Sequence, residues 1–409
     1  MHPGRSLPPT TRKGTRRSAG APLEPSKRHP ASLDVPLLLL LLLLPLAVGL
    51  VLTAAWCLAL WAFARVYLEG PDLSAFDSPP GRRVGQLDPP SAEHQRVVAA
   101  VREMSRSIAS RPLHRRVAAI REALEDLLAF RAVTAEIRPT SCDGVPAEWV
   151  LADGCDPDRR MLYLHGGAFV AGSPRSHRPL CADLARGSGS AVLSLDYRLI
   201  PEHRRLAAVE DCRTAYRWLL EHGPRGAAPP RTLLVAGDSA GGNLALVITA
   251  WARDCGLRLP DAVVAFSPAT DGTFASPTFR TNLQSDPMLG PAFRPAARFR
   301  TIALIGSWLW LRMRPAHPTL SPVFGDLAGL PPTLVQASEA EVLLGDARRW
   351  VNRARAAGSP AELETWPHMV HVFQALGVDL PEAAEAQRRV FEFLDRWAPR
   401  AGRDVAGAI

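Results

Sequence analysis

The sequence has little of what a disulfide framework or a metal site requires. It contains six cysteines in 409 residues, with no Cys-x-x-Cys pair and no His-Glu-x-x-His stretch. Cys142 and Cys155 flank one predicted strand, and a strand rises about 3.3 Å per residue, so the two thiols are held too far apart to bond. With Cys57 in an apolar N-terminal run, an odd number of cysteines remains. We expect neither a disulfide framework nor a metal site.

Outside its N-terminus the chain also lacks a strong excess of basic residues. The formal net charge is +8, but residues 1–34 hold seven Lys or Arg and two acidic residues, which leaves only +3 for the rest. Nucleic-acid-binding domains concentrate their basic residues on one face or stripe. We therefore expect no nucleic-acid partner. No internal repeat is present, and nothing in the sequence indicates the oligomeric state.

Residues 35–64 carry no charge at all. Eight consecutive leucines, Leu37 to Leu44, lead into a further apolar run. A membrane-spanning helix needs about 20 mainly apolar residues, so this segment predicts a single transmembrane helix. By the positive-inside rule, the basic tail 1–34 is cytoplasmic and the remainder lies across the membrane. The alternative is a cleaved signal peptide, which the small residues Ala62 and Ala64 favour, although its apolar region would be twice the usual length.

The composition then predicts a linker followed by one large domain. Residues 65–92 are rich in proline, glycine and charge and have no apolar period, as is typical of a linker. The domain is expected over 93–409. Its first part carries two amphipathic helical patterns on either side of Pro112, with apolar residues at Val97, Val101, Met104 and Ile108, and at Val117, Ile120, Leu124 and Leu127.

From about residue 131, short apolar runs alternate with helical patterns. Strands are predicted near 132–139, 146–152, 160–165, 190–197, 231–237, 261–267, 331–337 and 361–366. Helices are predicted near 176–187, 206–222, 241–254, 345–357 and 382–397. The first two strands are close enough for a hairpin, and the later ones are separated by crossover-length helices, which indicates a mainly parallel sheet with helices on both faces. In such a sheet, functional groups gather at the carboxyl ends of the strands.

The fifth predicted strand ends in a Gly-x-Ser-x-Gly motif, Gly237 to Gly241, directly before a helix. Flanking glycines allow the sharp turn that holds a serine out of the sheet at a helix N-terminus, so Ser239 is the candidate nucleophile. A glycine-rich turn could also serve only to pack a helix on a strand. The position between strand and helix favours the nucleophile.

A serine hydroxyl needs a base to accept its proton. His371 and its rival His368 follow the last predicted strand, which fits the chain order serine, acid, histidine of hydrolase triads. The carboxylate that orients the imidazole should follow the seventh strand, where Glu339, Glu341 and Asp346 are candidates. Position alone does not choose among the three.

His165, Gly166 and Gly167 follow the third predicted strand. An acyl-transfer site must meet the developing oxyanion with N–H donors, and glycine lets a main-chain amide come close. We expect the amides of Gly166, Gly167 and Ala240 to form this oxyanion hole. A pure turn role for the glycines is the alternative, but it leaves His165 unexplained.

Four motifs together carry a resemblance to a known family: HGGAF at 165–169, DYRLIPEH at 196–203, GDSAGGN at 237–243 and MVHVF at 369–373. Over roughly Val97 to Pro399 the chain resembles the hormone-sensitive lipase group of α/β-hydrolases, the bacterial family IV esterases. The resemblance implies an eight-stranded α/β-hydrolase sheet, a carboxylic-ester substrate and no metal or organic cofactor. It also implies a helical cap, built from about 93–130 and 273–320.

The resemblance also bears on single residues. The family's acid opens an Asp-x-Leu stretch at a position that is Glu341 here, so the resemblance selects Glu341. Ala168 stands where many relatives have a third glycine. The charged residues of DYRLIPEH are expected to form a polar network that braces the oxyanion loop. The very apolar stretch 301–311 is expected to line the acyl pocket or touch the bilayer, with core packing as the alternative.

The sequence thus predicts a membrane-anchored serine hydrolase that cleaves esters of short to medium acyl chains through an acyl-enzyme, with Ser239, His371 and Glu341 as its catalytic residues. An amide, lactone or acetyl-group hydrolase would use the same chemistry. A non-catalytic binding protein on a hydrolase scaffold is a further alternative, against which the presence of His371 argues. A membrane adaptor with an incidental fold is the last.

Overall fold

The computed structural model describes residues 35–85, 90–129 and 131–400. The predicted basic tail 1–34 lies outside the described residues. The strands are β1 (Arg82–Arg83), β2 (Glu136–Cys142), β3 (Val145–Leu151), β4 (Asp156–Leu164), β5 (Ser190–Leu195), β6 (His222–Gly223), β7 (Gly226–Ala227), β8 (Thr232–Asp238), β9 (Ala262–Phe266), β10 (Thr333–Ser338) and β11 (Ala361–Trp366). All six cysteines are free thiols.

Helices surround these strands. They are α1 (Val35–Phe63), α2 (Ala92–Ser110), α3 (Arg116–Ala129), α4 (Pro174–Ser188), α5 (Arg205–Glu221), α6 (Ala240–Asp254), α7 (Thr278–Thr281), α8 (Gly290–Arg298), α9 (Arg300–Leu311), α10 (Leu344–Ala356) and α11 (Pro381–Trp397). A π-helical turn follows α1 at Ala64–Leu68, and 3₁₀ turns lie at Ser74–Phe76, Leu113–Arg115, Pro322–Phe324 and Phe373–Asp379. The two amphipathic patterns around Pro112 are confirmed as α2 and α3.

The main sheet has the strand order β1-β11-β10-β9-β8-β4-β5-β3-β2. The pairs β2–β3 and β3–β5 are antiparallel, and the other neighbours are parallel. All eight strands predicted from the apolar runs are present. The expected count of eight is nevertheless too low, because β1 adds a ninth strand. Two arginines at a sheet edge pair only through their main chain, so they leave no apolar pattern to detect.

Alternation along the central strands builds a core on each face of the sheet. Leu162 and Leu164 of β4 pack with the inner residues of α5, α6 and α10, whereas Met161 and Tyr163 pack with those of α4 and α11. Successive side chains of a strand point to opposite faces, so a strand covered on both sides is apolar throughout. This two-sided cover is typical of a mainly parallel α/β sheet, and the carboxyl ends of its parallel strands lie along one edge.

Helix α1 accounts for the uncharged N-terminal run. It is 29 residues long, and the apolar stretch from Val35 to Leu68 is long enough to cross a bilayer. Its window of highest hydropathy is not buried within the protein. A signal sequence near an N-terminus meets the same criterion of length and composition.

The segment predicted as a linker contributes to the folded unit, which begins at Ala59. Leu73 is buried in the core beside α10. Arg349 Nε donates to Asp77 Oδ1 at 2.7 Å, and Asn352 Nδ2 donates to the carbonyls of Phe76 and Pro79 at 3.0 and 2.9 Å. These contacts use main-chain oxygens and one carboxylate, so composition alone could not reveal them.

Replacing Asn352 by alanine should loosen this segment. Two carbonyl oxygens would lose their donor, and a hydrogen bond contributes about 0.5–1.5 kcal/mol to stability. We expect the free energy of unfolding to fall by about that amount in urea titrations. Ala356→Ser, an exposed position of the same helix, is the control and should cost no more than about 0.5 kcal/mol. Equal stabilities of the two variants would contradict the assignment.

Candidate active site

Ser239 occupies the sharp turn between β8 and α6. Its φ of 52° and ψ of −113° lie outside the regions that non-glycine residues prefer, at a cost of about 1–3 kcal/mol. The turn is held by the Ser239 N–H, which donates to the Phe266 carbonyl at 2.7 Å. Gly241 is required for space, since a Cβ there would lie 1.9 Å from the Leu164 carbonyl oxygen. These contacts hold the strained turn, so the hydroxyl stays at the carboxyl edge of the sheet.

The imidazole of His371 bridges the serine and a carboxylate. Its Nε2 lies 2.9 Å from Ser239 Oγ, and its Nδ1 lies 2.5 Å from Glu341 Oε2. The second Glu341 oxygen accepts from Ser267 Oγ and from the Ser338 N–H, both at 2.8 Å. Both carboxylate oxygens are thus occupied in a fully buried side chain, which fixes the direction in which Glu341 faces the imidazole.

The rival candidates face elsewhere. Glu339 accepts from Thr365 Oγ1 at 3.0 Å and lies 3.5 Å from Arg83. Asp346 accepts from the main-chain amides of Thr270 and Asp271 at 3.1 and 2.9 Å. His368 is exposed to solvent. Of the alternatives that the sequence left open, the structure brings only Glu341 and His371 to the serine.

Charge around His371 favours its protonated form. Burial alone would lower the pKa of His371, but the adjacent Glu341 carboxylate and the more distant Asp286 reverse this, so its pKa is raised. Asp286 is itself buried, which raises its pKa, and its Oδ2 accepts from the Val342 N–H at 3.0 Å. Sequence analysis did not identify Asp286, because it belongs to no motif and lies in the irregular stretch after β9.

The oxyanion loop has an unusual main chain. Gly167, Ala168 and Phe169 all have positive φ, of 112°, 55° and 63°. The Gly166 N–H, which was expected to face the oxyanion, donates instead to Asp238 Oδ1 at 2.9 Å. Among the described residues, none accepts a hydrogen bond from the main-chain N–H of Gly167, Ala168 or Ala240. These three amides are therefore available as donors to an oxyanion.

Asp238 connects the nucleophile turn to the oxyanion loop. Besides the Gly166 amide, its Oδ1 accepts from Tyr163 Oη at 2.6 Å and lies 3.4 Å from His177 Nε2. Burial alone would raise the pKa of Asp238, but His177 lowers it overall, and Asp238 in turn raises the pKa of His177 against the effect of burial. Asp238, which faces His177, thus holds the Gly166 main chain in place through its hydrogen bond to the Gly166 N–H.

His165 has a structural role in this geometry. Its Nδ1 lies 2.8 Å from the Gly166 carbonyl, and its ring stacks on Tyr197 with centroids 4.1 Å apart. Burial, together with the neighbouring His177, lowers the pKa of His165 to about 3. A neutral, stacked imidazole holds the start of the oxyanion loop and takes no part in proton transfer.

Arg205 is a second residue that sequence analysis missed. Its guanidinium is buried 3.9 Å above the ring of Phe169, and its Nη2 donates to Asn243 Oδ1 at 2.8 Å. Asn243 lies one turn after the nucleophile, and its N–H donates to the Ser239 carbonyl at 3.0 Å. Burial lowers the pKa of Arg205 to about 10, so it stays cationic at neutral pH. It connects the oxyanion loop with α6, the helix that directly follows Ser239.

The polar network expected in DYRLIPEH is present in part. Arg121 of α3 donates to the Val170 carbonyl at 2.7 Å and binds both Glu202 carboxylate oxygens at 2.8 Å. Arg198 binds Asp211 of α5 through its Nε and Nη2. Glu202 therefore braces the oxyanion loop through Arg121, whereas Arg198 anchors the following helix.

Comparison with known proteins shows which family has this fold. Residues 161–375 match the model of a family described as having the α/β-hydrolase fold. An acetyl-hydrolase of Streptomyces hygroscopicus is 43% identical over 242 residues, which cover 59% of this chain and 76% of that protein. The carboxylesterase/phospholipase LipF of Mycobacterium tuberculosis is 38% identical over 251 residues, which cover 59% of this chain and 63% of LipF.

Solved structures are similar as well. The crystal structure of an esterase of the bacterial hormone-sensitive lipase family superposes with a TM-score of 0.66 at 39% identity, covering 75% of this chain and 98% of that one. The esterase EstE5, soaked with p-nitrophenyl butyrate, gives a TM-score of 0.65 at 38% identity over 75% and 99% of the two chains. The chain therefore belongs to the bacterial hormone-sensitive lipase family of α/β-hydrolases, and it is an enzyme.

Replacing Glu341 by glutamine should show which of the two glutamates after β10, Glu341 or Glu339, orients His371. Loss of the negative charge destabilises the imidazolium, so the pKa of His371 falls and the acid limb of the pH–rate profile moves to lower pH. We expect kcat to fall by about 10³–10⁴-fold, as for the orienting acid of other triads. Glu339→Gln is the matched control and should leave both the rate and the profile unchanged. Similar profiles for both variants would exclude Glu341 as the acid.

Two substitutions in the oxyanion loop should behave in opposite ways. A Cβ at Gly167 would lie 2.2 Å from the Ala171 carbonyl oxygen, so Gly167→Ala must displace the loop. We expect kcat/KM to fall at least about 100-fold, the cost of one lost oxyanion donor. Ala168→Gly relieves a positive φ and keeps the amide, so kcat/KM should stay within about threefold. If both variants retain activity, the loop does not hold the oxyanion.

Proposed function

We propose that the chain is a membrane-anchored serine esterase that hydrolyses carboxylic esters of short to medium acyl chains through an acyl-enzyme. The observation that carries the proposal is the unbroken line of contacts from Ser239 Oγ to His371 Nε2, and from His371 Nδ1 to Glu341. Nucleophile, base and orienting acid lie in the geometry that acyl transfer requires.

The reaction would begin at the serine hydroxyl. Ser239 Oγ attacks the acyl carbon while His371 Nε2 accepts its proton, and Glu341 stabilises the imidazolium that forms. The carbonyl oxygen becomes an oxyanion beside the amides of Gly167, Ala168 and Ala240. His371 then gives the proton to the leaving alcohol, and the acyl group remains on Ser239. Water attacks this ester with His371 Nε2 accepting its proton, and His371 then returns the proton to Ser239 Oγ as the carboxylic acid leaves.

Preorganised main-chain donors would supply much of the rate. Each oxyanion donor is worth about 3 kcal/mol of transition-state stabilisation in comparable sites. The positive φ values of the loop and the Gly166–Asp238 hydrogen bond fix these amides before substrate arrives. The strained turn at Ser239 does the same for the nucleophile, so little reorganisation remains for the reaction itself.

The helices around the site support the proposed preference for short to medium acyl chains. Ser105 of α2 donates to the Pro287 carbonyl at 2.9 Å, which joins the helices before β2 to the stretch after β9. Val101 of the same helix packs with Phe373, two residues after the base. We infer that both stretches form a cap over the acyl pocket. The names of the relatives, acetyl-hydrolase and carboxylesterase, fit a pocket of this kind.

The proposed domains are, in chain order, a tail, a membrane-spanning helix and a catalytic unit. Residues 1–34 form a basic cytoplasmic tail, α1 spans the membrane, and the catalytic unit lies on the extracytoplasmic side. The length and apolar character of α1 and the charge bias before it support this orientation.

The test is a panel of p-nitrophenyl esters from acetate to long chains, run on the full chain in detergent. We expect the highest kcat/KM on short or medium chains and none above background for Ser239→Ala. A matched ester and anilide pair separates an esterase from an amidase, and a lactone tests the remaining alternative. Fastest turnover on the longest chain would contradict the acyl range. Tight small-molecule binding without turnover would instead indicate a binding protein.

A further inference from the structure

Helix α9 is apolar on both its inner and its outer side. On the inner side Leu304 is buried against Ala64, Leu68 and Phe274. The outer side presents four large apolar side chains that are each more than half exposed: Phe299 at 53%, Ile302 at 69%, Leu309 at 62% and Trp310 at 56%. Their spacing places them on one face of the helix. We call these four residues the outer α9 face.

Arginines flank this face along the chain, with no acidic residue among them. From Pro287 to Gly325 the chain contains five arginines and no aspartate or glutamate. The exposed ones are Arg294, Arg298, Arg312 and Arg314. None of these four makes an ion pair with another residue in the described part of the chain. The fifth, Arg300, turns inward and pairs with Glu69 at 2.9 Å.

The face is continuous with the end of the long apolar helix. The rings of Phe63 and Tyr67 lie 5.3 and 6.3 Å from that of Trp308 on α9. Val66, between them, is 83% exposed. Helix α1 ends at Phe63, which contacts Trp308 of α9. The surface of a bilayer that α1 enters would therefore lie close to α9.

We propose that the outer α9 face lies in the interfacial layer of the bilayer that α1 enters. Its apolar side chains would contact acyl chains, and the surrounding arginines would bind the phosphates of anionic headgroups. A helix with an apolar face, a tryptophan and flanking cations is typical of such interfacial segments. This inference rests on the proposed anchorage of α1, and it stands whether or not Ser239 cleaves esters.

The position of α9 also points to a substrate class. Helix α8 contacts the residues that directly follow Glu341. Its Phe293 packs with Val342 and Leu343, and also with Phe279 of α7. A cap helix lying in the bilayer surface would put the entrance of the site beside dissolved lipids. Esters that partition into the bilayer are therefore the substrates that gain from this arrangement. This second step rests on the proposed function.

The location of α9 is tested with a fluorescent label on the full chain. Cys57, Cys155 and Cys255 are replaced by serine, and the NBD fluorophore is attached to Leu309→Cys. The protein is reconstituted in vesicles of phosphatidylcholine and phosphatidylglycerol that carry spin-labelled acyl chains. We expect blue-shifted emission that the lipid spin label quenches.

The control label is Ala227→Cys, on the exposed hairpin of β6 and β7, whose Pro224 carbonyl accepts from Arg138 of β2, and it should stay water-exposed and unquenched. If the label at 309 behaves like the one at 227, the proposal fails. A label at 309 that is shielded but not quenched would mean that protein, such as a second copy of the chain, covers the face, and this too would overturn it.

The substrate step is tested with the double variant Ile302→Ser, Leu309→Ser. In the same vesicles, we expect its rate on a bilayer-dissolved ester of a medium-length acyl chain and a long-chain alcohol to fall about tenfold relative to the native chain. Its rate on water-soluble p-nitrophenyl acetate should stay unchanged. Leu113→Ser, an exposed leucine outside the outer α9 face, should alter neither rate. An unchanged rate on the bilayer-dissolved ester, or an equal fall on both substrates, would overturn the link to bilayer substrates.

Discussion

The site depends on one close approach, between the end of β4 and the turn from β8 into α6. There is no room for a side chain at this crossing: a Cβ on Gly241 would meet the Leu164 carbonyl at 1.9 Å, and one on Gly166 would meet Asp238 Oδ2 at 2.0 Å. Glycine at both positions lets the nucleophile turn and the oxyanion loop touch through their main chains. Asp238 then joins the two loops by accepting from Gly166. The nucleophile and the oxyanion loop are thus positioned relative to each other by this contact.

Buried charge keeps the surrounding loops in place. Leaving ions unpaired in the interior is expensive, so each one constrains its neighbours. Glu341 is held by Ser267 and Ser338 before it meets the imidazole. Arg205 has no carboxylate partner among the described residues and instead lies on the Phe169 ring and binds Asn243. Arg205 thus connects the oxyanion loop to α6. Its charge also adds positive potential where negative charge would develop during the reaction.

Patterns with a repeat or a motif were readable from the sequence, and isolated contacts were not. The eight apolar strands, the flanking helices and the elbow at Ser239 all leave periodic or local signatures. The choice between Glu339 and Glu341 needed a family resemblance, because both follow the same strand. Asp286 and Arg205 act through long-range contacts that no local pattern records. The Gly166 amide illustrates a further limit: a motif shows which donors are close, but only coordinates show which of them already have an acceptor.

The edge strand β1 has a consequence for how the chain can be divided. Its two residues cover the outer side of β11, and the adjoining main chain lies directly on Leu363 at Gly81 and on Trp366 at Gly85. A shortened protein that starts at residue 90, where the composition becomes globular, would uncover a row of unpaired amides and carbonyls beside two large apolar side chains. An exposed edge strand of this kind pairs readily with strands of other molecules, which leads to aggregation. Solubility of the catalytic unit thus depends on a stretch that looks dispensable by composition.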